Sequence, residues 1–560
     1  MDGLILIPIF LPVIAGVVFL ISSFLEHLKG LVSLEGSGEL KSSGDPEGSK
    51  EPESSEDPKG SKEPESSEDP KGSAEKQNHK MKWFHALFVT ILSVSAATAL
   101  YLAWSGERSL TLFTLVEGVP VFLRIDDVGR FFVTVVSVIW LVTGVYSLVY
   151  MRHEGDEKRY FGFYLILYGV LVGLDFSGNL VTMYLFYELM TLVSFPLVLH
   201  NGTREAIMAA LKYLFYSMCG AYAGLFGIYF LYRFSDSLTF TAGGTLGAGA
   251  QGHEGILLAA VFVMLVGFGA KAGMLPLHAW LPAAHPVAPS PASAVLSAII
   301  VKSGVLAVIR VVYYIVGPGF IRGTWVQYAW MSLTLITVFM GSLLAFREKV
   351  FKKRLAYSTV SQVSYILFGL SLLSPIGFEG ALLHVAGHAV IKCGLFLTAG
   401  VFLYRFGYTR VEQLTGMGKR MPVTMWCYTL FSLGLVGIPP TVGFISKWYL
   451  AEGSLRLGKV FGVPPVVSSQ WVIDDIGVFS WLGPVVLLLS ALMTAGYLLP
   501  IAMRGFFPGE EADGKDLKRR EPSLCMLLPL VLLAALTLLL GIWPGPLEAF
   551  VRGIAYGLSM

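Results

Sequence analysis

Five charged residues stand inside stretches long and apolar enough to cross a bilayer: Glu188, Lys271, Lys302, Lys392 and Lys447. A charged side chain in hydrocarbon costs at least about 2.5 to 3.5 kcal/mol, so such groups pair, face a wet cavity or carry ions. Several of them in one chain point to a relay. Lys271 is the most telling, because Pro276 and Pro282 interrupt its segment, Gly255 to Pro282. The backbone groups such a break frees are satisfied only by protein or cavity water, and carbonyls freed beside a lysine can hold water and a cation. Glu188 lies in the middle of NLVTMYLFYELMTLVSFPLV, too far from either end to snorkel, and is the expected ion-pair partner of Lys271. Lys302 is equally deep in its span, whereas Arg310 lies nearer the far end of the same span and is read as snorkelling to the interface. Lys212 either snorkels or joins the relay, and His278, inside the broken segment, is a further candidate relay group.

His384, His388 and Lys392 follow one another at i, i+4 spacing. On a helix that spacing stacks all three on one face, as a proton wire through cavity water requires. Two histidines four apart can also bind a metal or make structural hydrogen bonds, but no carboxylate or cysteine on that helix completes a ligand set. Lys447 ends GLVGIPPTVGFISKW, a second apolar span broken by Pro439 and Pro440.

The elements that position these residues must be membrane helices. With 54% hydrophobic and 14% charged residues, the chain has too little polar surface for a soluble globule of 560 residues. The net charge of +2 comes from basic residues scattered through short loops, which form no face for nucleic acid. Four cysteines show no metal-ligand spacing and read as small buried hydrophobes. The first apolar stretch, Leu4 to Leu25, lacks a basic leader and a small-residue cleavage site and is expected to be a retained helix.

Counting apolar runs of membrane length predicts an all-α polytopic protein of about 14 transmembrane helices. The expected organisation is a first helix in 1–29, an insertion in 30–80, and helices two and three in 81–159 with a short extracytoplasmic β-hairpin between them. A first five-helix block follows in 160–315, a second in 324–504, and the last helix with a short tail in 505–560. The lysine and arginine count in alternate loops is about 18 on one side against about 7 on the other, which puts the first set in the cytoplasm and, with an even helix count, both termini outside a cell membrane. Spans seven and twelve occupy the same place in their blocks, and each joins a proline break to an intramembrane lysine, Lys271 or Lys447. Interrupted segments at matching places in two halves signal repeats with a site at midplane. Five helices per block is an odd number, so the copies insert with inverted topology.

The insertion is a different material. KEPESSEDPKGS occurs at Lys50 to Ser61 and again at Lys62 to Ser73, with no aromatic or β-branched residue, so it cannot bury enough apolar surface to offset its ordering entropy. A disordered cytoplasmic loop is expected. Deleting residues 35 to 78 should therefore leave membrane insertion and ion transport intact, which a transport assay on the deleted protein checks directly. Loss of assembly would show that the loop docks something.

The string GFGAKAGMLPLHAWLPAAHPVAPSPASAVLSAIIVKSG, with LAYSTVSQVSY at Leu355 to Tyr365, HVAGHAVIKCGLF at His384 to Phe396 and GIPPTVGFISKW at Gly437 to Trp448, resembles the antiporter-like subunits of respiratory complex I, of Mrp-type Na+/H+ antiporters and of membrane-bound [NiFe] hydrogenases. The resemblance implies two inverted repeats and a line of charges along the membrane midplane. Glu188 then corresponds to the fifth-helix glutamate, Lys271 to its partner on the broken seventh helix, Lys302 to the connecting lysine, and Lys392 and Lys447 to the lysines of the eleventh and broken twelfth helices. Some members carry glutamate at the place of Lys447, and many carry aspartate at that of Ala283. The resemblance also implies translocation of protons, sodium ions or both, and partners that include related membrane subunits and a peripheral redox module. No flavin, nicotinamide, haem or iron–sulfur ligand pattern occurs in this chain, so flavin, Fe–S or NiFe centres belong to partner subunits. The competing class is a membrane anchor or quinone-site subunit that moves no ions, which has no use for this many intramembrane charges. A stand-alone solute carrier is the third.

Overall fold

A computed structural model of the protein describes residues 2–36, 70–116, 118–457, 471, 477–509 and 518–558. Helix α1 (Ile7–Gly36) and helix α2 (Pro70–Trp104) run further than their apolar cores require, into the ends of the stretch read as the insertion. Most of that insertion, 37–69, lies outside the described residues. The expected hairpin is present, with β1 (Ser109–Val116) antiparallel to β2 (Val119–Arg124). Then come α3 (Asp127–Glu154), α4 (Glu157–Asp175), α5 (Leu180–Val198) and α6 (Arg204–Phe234). Polar side chains start three of these four where the apolar runs begin: Asp126, Asn179 and Thr203 each accept a hydrogen bond from a backbone N–H of the first turn.

The two broken spans are broken where the prolines predict. Helix α7 (Glu254–Lys271) stops at the lysine itself, and α8 (Leu281–Val287) resumes after an irregular stretch in which Gly273 has a positive φ of 77°. After α9 (Ser290–Val316), α10 (Trp325–Arg347), α11 (Phe351–Ser371) and α12 (Pro375–Phe406), the second break separates α13 (Pro422–Val436) from α14 (Val442–Leu455), with Gly437 at φ 90° ending α13. The chain continues through α15 (Val478–Phe506), α16 (Leu524–Ile542) and α17 (Gly545–Gly557). Arg552 of α17 donates to the Glu379 carboxylate, 3.1 Å away in the first turns of α12, which ties this last helix to α12. Among the described residues, eleven helices are long and apolar enough to cross a membrane. Helices α4 and α11 match them in length but are more polar, and α13 is apolar but short.

Burial ranks the helices. Phe10, Phe215, Tyr229 and Leu492 on the outer helices are exposed, as lipid-facing residues are. By contrast, α9 and α12 have their whole apolar windows inside the protein. These two central helices carry Lys302, His384, His388 and Lys392. All four are at most 3% exposed, whereas Glu188 and Lys447 are half-buried.

Candidate functional site

Lys271, the last residue of α7, is fully buried, and its Nζ donates to Thr191 Oγ1 at 2.9 Å, Tyr213 OH at 3.0 Å and Ser217 Oγ at 3.0 Å. Thr191 lies on α5, and Tyr213 and Ser217 lie on α6. Close backbone packing makes this cage possible: a Cβ at Gly220 would meet the Gly267 carbonyl at 2.5 Å, and one at Gly304 would meet the Phe268 carbonyl at 2.6 Å and Lys271 Cβ at 3.2 Å. Helices α6 and α9 therefore both touch α7 beside the lysine. The carbonyl that the break frees at Ala270 accepts from the Trp280 indole at 2.8 Å.

The expected ion pair between Glu188 and Lys271 is not made. Glu188 is half-buried, its Oε1 has no protein partner, and it meets Lys271 only through space. The hydroxyls explain why this arrangement is stable. An ammonium has three donors and no acceptor, so three hydroxyl oxygens satisfy it. Hydroxyls can also turn and donate, so the same cage satisfies the neutral amine. A carboxylate in contact would hold the proton, because removing it would leave a buried charge uncompensated. Hydroxyls, and no carboxylate, surround the Lys271 nitrogen.

Lys302 is 2% exposed. It donates to the Ser297 carbonyl at 2.9 Å, which a π-helical turn at Leu296–Ile300 makes available, and lies 2.6 Å from His388 Nδ1. The two histidines stack with ring centroids 6.0 Å apart, and His384 Nδ1 shares a hydrogen bond with Ser446 of α14 at 2.9 Å. Tyr365 of α11 stacks on His384 at 5.6 Å and lies under the Lys447 ammonium, 5.1 Å from the ring centre. Lys447 itself, half-buried, turns back to cap the broken α13, donating to the Leu435 carbonyl at 2.6 Å and that of Val436 at 2.9 Å. Lys392 donates to the Leu355 carbonyl at 2.9 Å and to Ser358 Oγ at 2.6 Å. The same Leu355 carbonyl accepts from Thr359, whose oxygen is 2.7 Å from Ser297 Oγ. Lys302, Lys392, His384, His388 and Lys447 are thus joined by contacts through α9, α11, α12 and α14.

Two other candidates stand apart. Lys212 is exposed on α6 and acts on His278 only through its charge, while His278 is half-buried in the first break with Nδ1 unpartnered. Arg310 does not snorkel. It is 1% exposed and bidentate to Asp126, at 2.5 and 2.7 Å, with the Phe240 and Tyr314 rings on its guanidinium. Asp126 precedes a helix start and so reads from sequence as a cap only. The hydroxyls around Lys271 were also missed, although Tyr213 and Ser217 stand at i, i+4 spacing in an apolar helix. Among the described residues, no group of three or more histidine, cysteine, aspartate or glutamate side chains is arranged to hold a metal ion.

Residues 177–472 match the family model described as NADH:quinone oxidoreductase/Mrp antiporter, transmembrane. The chain is 30% identical over 469 residues to NADH-quinone oxidoreductase subunit N of Desulforudis audaxviator (strain MP104C), covering 81% of this chain and 89% of that one. It is 32% identical over 453 residues to hydrogenase-4 component B of Escherichia coli (strain K12), covering 78% of this chain and 64% of that protein. In three dimensions it is similar to a chain of the Mrp complex from Dietzia sp. DQ12-45-1b, with a TM-score of 0.71 at 22% identity over 87% of this chain and 94% of that chain. At that identity the likeness speaks for the fold.

Proposed function

From a chain that belongs to the NADH:quinone oxidoreductase/Mrp antiporter transmembrane family, we infer an antiporter-like, multi-pass membrane subunit that translocates ions within a larger complex. The carried ion in this reading is the proton, and the route runs along Glu188, Lys271, Lys302, Lys392 and Lys447. The observation that carries it is the continuous set of contacts from Lys302 through His388 and His384 to Tyr365 and Lys447, whose first three members lie on the two helices with fully buried apolar windows. Amines, imidazoles and hydroxyls make up that line, and these are groups that pass protons. The first repeat, 160–315, contributes Lys271 and Lys302. The second, 324–504, contributes Lys392 and Lys447 in inverted topology, within a count of 14 helices. The protein lies in the cell membrane with both termini extracytoplasmic, beside other membrane subunits and a redox or antiporter partner that supplies the driving change.

In this mechanism Glu188 sets the charge state of Lys271 without touching it. A charge or conformational change in a neighbouring subunit that shifts or neutralises Glu188 removes the stabilisation of the ammonium. The proton then leaves the hydroxyl cage toward Lys302. Because the groups interact, they titrate as a set.

Glu188→Gln and Lys302→Ala test the reading. Each removes one relay member while leaving assembly intact, so proton movement in vesicles containing the purified complex should fall about tenfold or more at normal protein level. Normal transport by either variant would put the path elsewhere.

A further inference from the structure

The line of lysines has a side branch on the membrane face that carries the basic loops. There the last turn of α3 sets Glu154 against Tyr150, whose hydroxyl lies 3.2 Å from Ser290 Oγ at the start of α9. Lys352, in the first turn of α11 and only 8% exposed, reaches the same corner. Its Nζ donates to the Ala288 carbonyl at 2.7 Å, and the Glu154 charge acts on it. Three residues before Ala288 in the chain, His285 of α8 is fully buried and stacked on Phe396 of α12, with ring centroids 4.6 Å apart. Neither of its ring nitrogens has a protein partner. The charges of Lys352 and Lys392 both act on it, and Lys392 holds Leu355 and Ser358 further along the helix that Lys352 begins.

Buried polar atoms find their partners in protein or in ordered water. An imidazole with both nitrogens free of protein partners, acted on by the charges of a lysine at the rim and a lysine of the relay, is a site where water would complete the hydrogen bonding. Water on two sides is also what a proton shuttle needs. We propose that Glu154, Lys352 and His285 form an entry branch through which protons reach Lys392, a reading that rests on the relay described above. The Glu154 carboxylate takes a proton from bulk water and passes it through bridging water to one ring nitrogen of His285. The other nitrogen releases a proton toward the neutral Lys392 amine, which becomes an ammonium donating to Leu355 and Ser358. A tautomer exchange returns the ring to its starting state, so one proton enters, one arrives, and His285 ends neutral. Lys352 is a positioning residue: its positive charge at the rim keeps the imidazole from retaining the proton.

The test uses the native complex, purified through this chain and reconstituted in vesicles, with proton movement driven by an imposed potassium diffusion potential and read by a trapped pH dye. His285→Gln keeps the packing against Phe396 but cannot shuttle, so transport should fall about tenfold or more with assembly unchanged. Glu154→Gln should do likewise, and Lys349→Ala, an exposed change on the same face, should not. In His285→Ala, added imidazole should restore transport, an effect that a purely structural histidine would not show. Near-normal transport by His285→Gln, or failure of imidazole to restore His285→Ala when that variant assembles normally, would overturn the branch. Lys302→Ala in the same vesicles tells two failures apart. If it stops transport while His285→Gln does not, the relay stands without this entrance; if neither stops it, the relay itself is wrong.

Discussion

Replacing Lys271 by arginine should stop proton transport as completely as replacing it by alanine. Arginine keeps the positive charge but does not deprotonate in a protein, and its planar fork of five donors does not fit a cage of three hydroxyls built around one nitrogen. Alanine removes the carrier and leaves Glu188 with no cation nearby, so that the carboxyl, already lacking a protein partner at Oε1, becomes neutral. Both variants should therefore lose transport by about 10² or more, measured as proton uptake by reconstituted vesicles at equal protein level. A Lys271→Arg protein that pumps well would mean that the lysine is a static counter-ion. The cage offers a sharper companion test in Thr191→Asp, which sets a carboxylate directly against the ammonium. If the hydroxyls matter because they serve both protonation states, this added ion pair should trap the proton and slow transport, although it strengthens the electrostatic contact.

The second large effect is on stability. Among the described residues, Arg310→Ala leaves the Asp126 carboxylate with only the Gly129 N–H as a hydrogen-bond partner, and it also strips the nearby charge from Asp175, whose Oδ2 is buried without a partner. Breaking one side of a buried pair costs about 3 to 5 kcal/mol, because the remaining charge has nothing to compensate it. The purified variant should melt well below the wild type and assemble poorly, while Arg310→Lys, which keeps the charge without the fork, should fall between them. Thermal unfolding in detergent checks the order. The pair also predicts a pH dependence. Burial alone would raise the Asp126 carboxyl, but the Arg310 charge and hydrogen bonds, helped by the Gly129 N–H and Arg124, hold it below the ordinary carboxylate range. Its stabilisation is thus complete above the ordinary carboxylate pKa and is lost as pH falls through the lowered one. Wild type should lose stability on acidification in a way that Arg310→Ala does not.

Arg310 also shows the limit of reading depth from position in a span. From sequence it lies near a helix end, where a long side chain can reach water. That argument assumes the end of α9 faces the interface. Instead the β-hairpin end, the 238–245 segment and the start of α3 close over it, and Asp126, 184 positions earlier, supplies the charge. Proximity across 184 residues leaves no periodic trace in either segment. Glu188 and Lys271 show the converse. Both groups were legible as intramembrane and ionisable, but their separation depends on how α5, α6 and α7 approach, which the close contact of Gly220 with Gly267 and the hydroxyls of Thr191, Tyr213 and Ser217 decide.

The membrane class, both helix breaks, the hairpin, and the placing of Lys302, His384, His388 and Lys392 in the interior are legible in the sequence. Each of these follows from a local rule: apolar length against bilayer thickness, the missing N–H of proline, the 3.6-residue period, and the cost of charge in hydrocarbon. Which of those groups meet is set by the packing of the helices. Lys302 contacts His388, Lys447 caps the helix broken ahead of it, and Lys271 is held by hydroxyls in place of a carboxylate. Hydrogen bonds act over about 3 Å, and helix packing sets which side chains come that close. A chain can therefore announce its buried charges in one dimension, while the path between them exists only once α9 and α12 are enclosed by the rest.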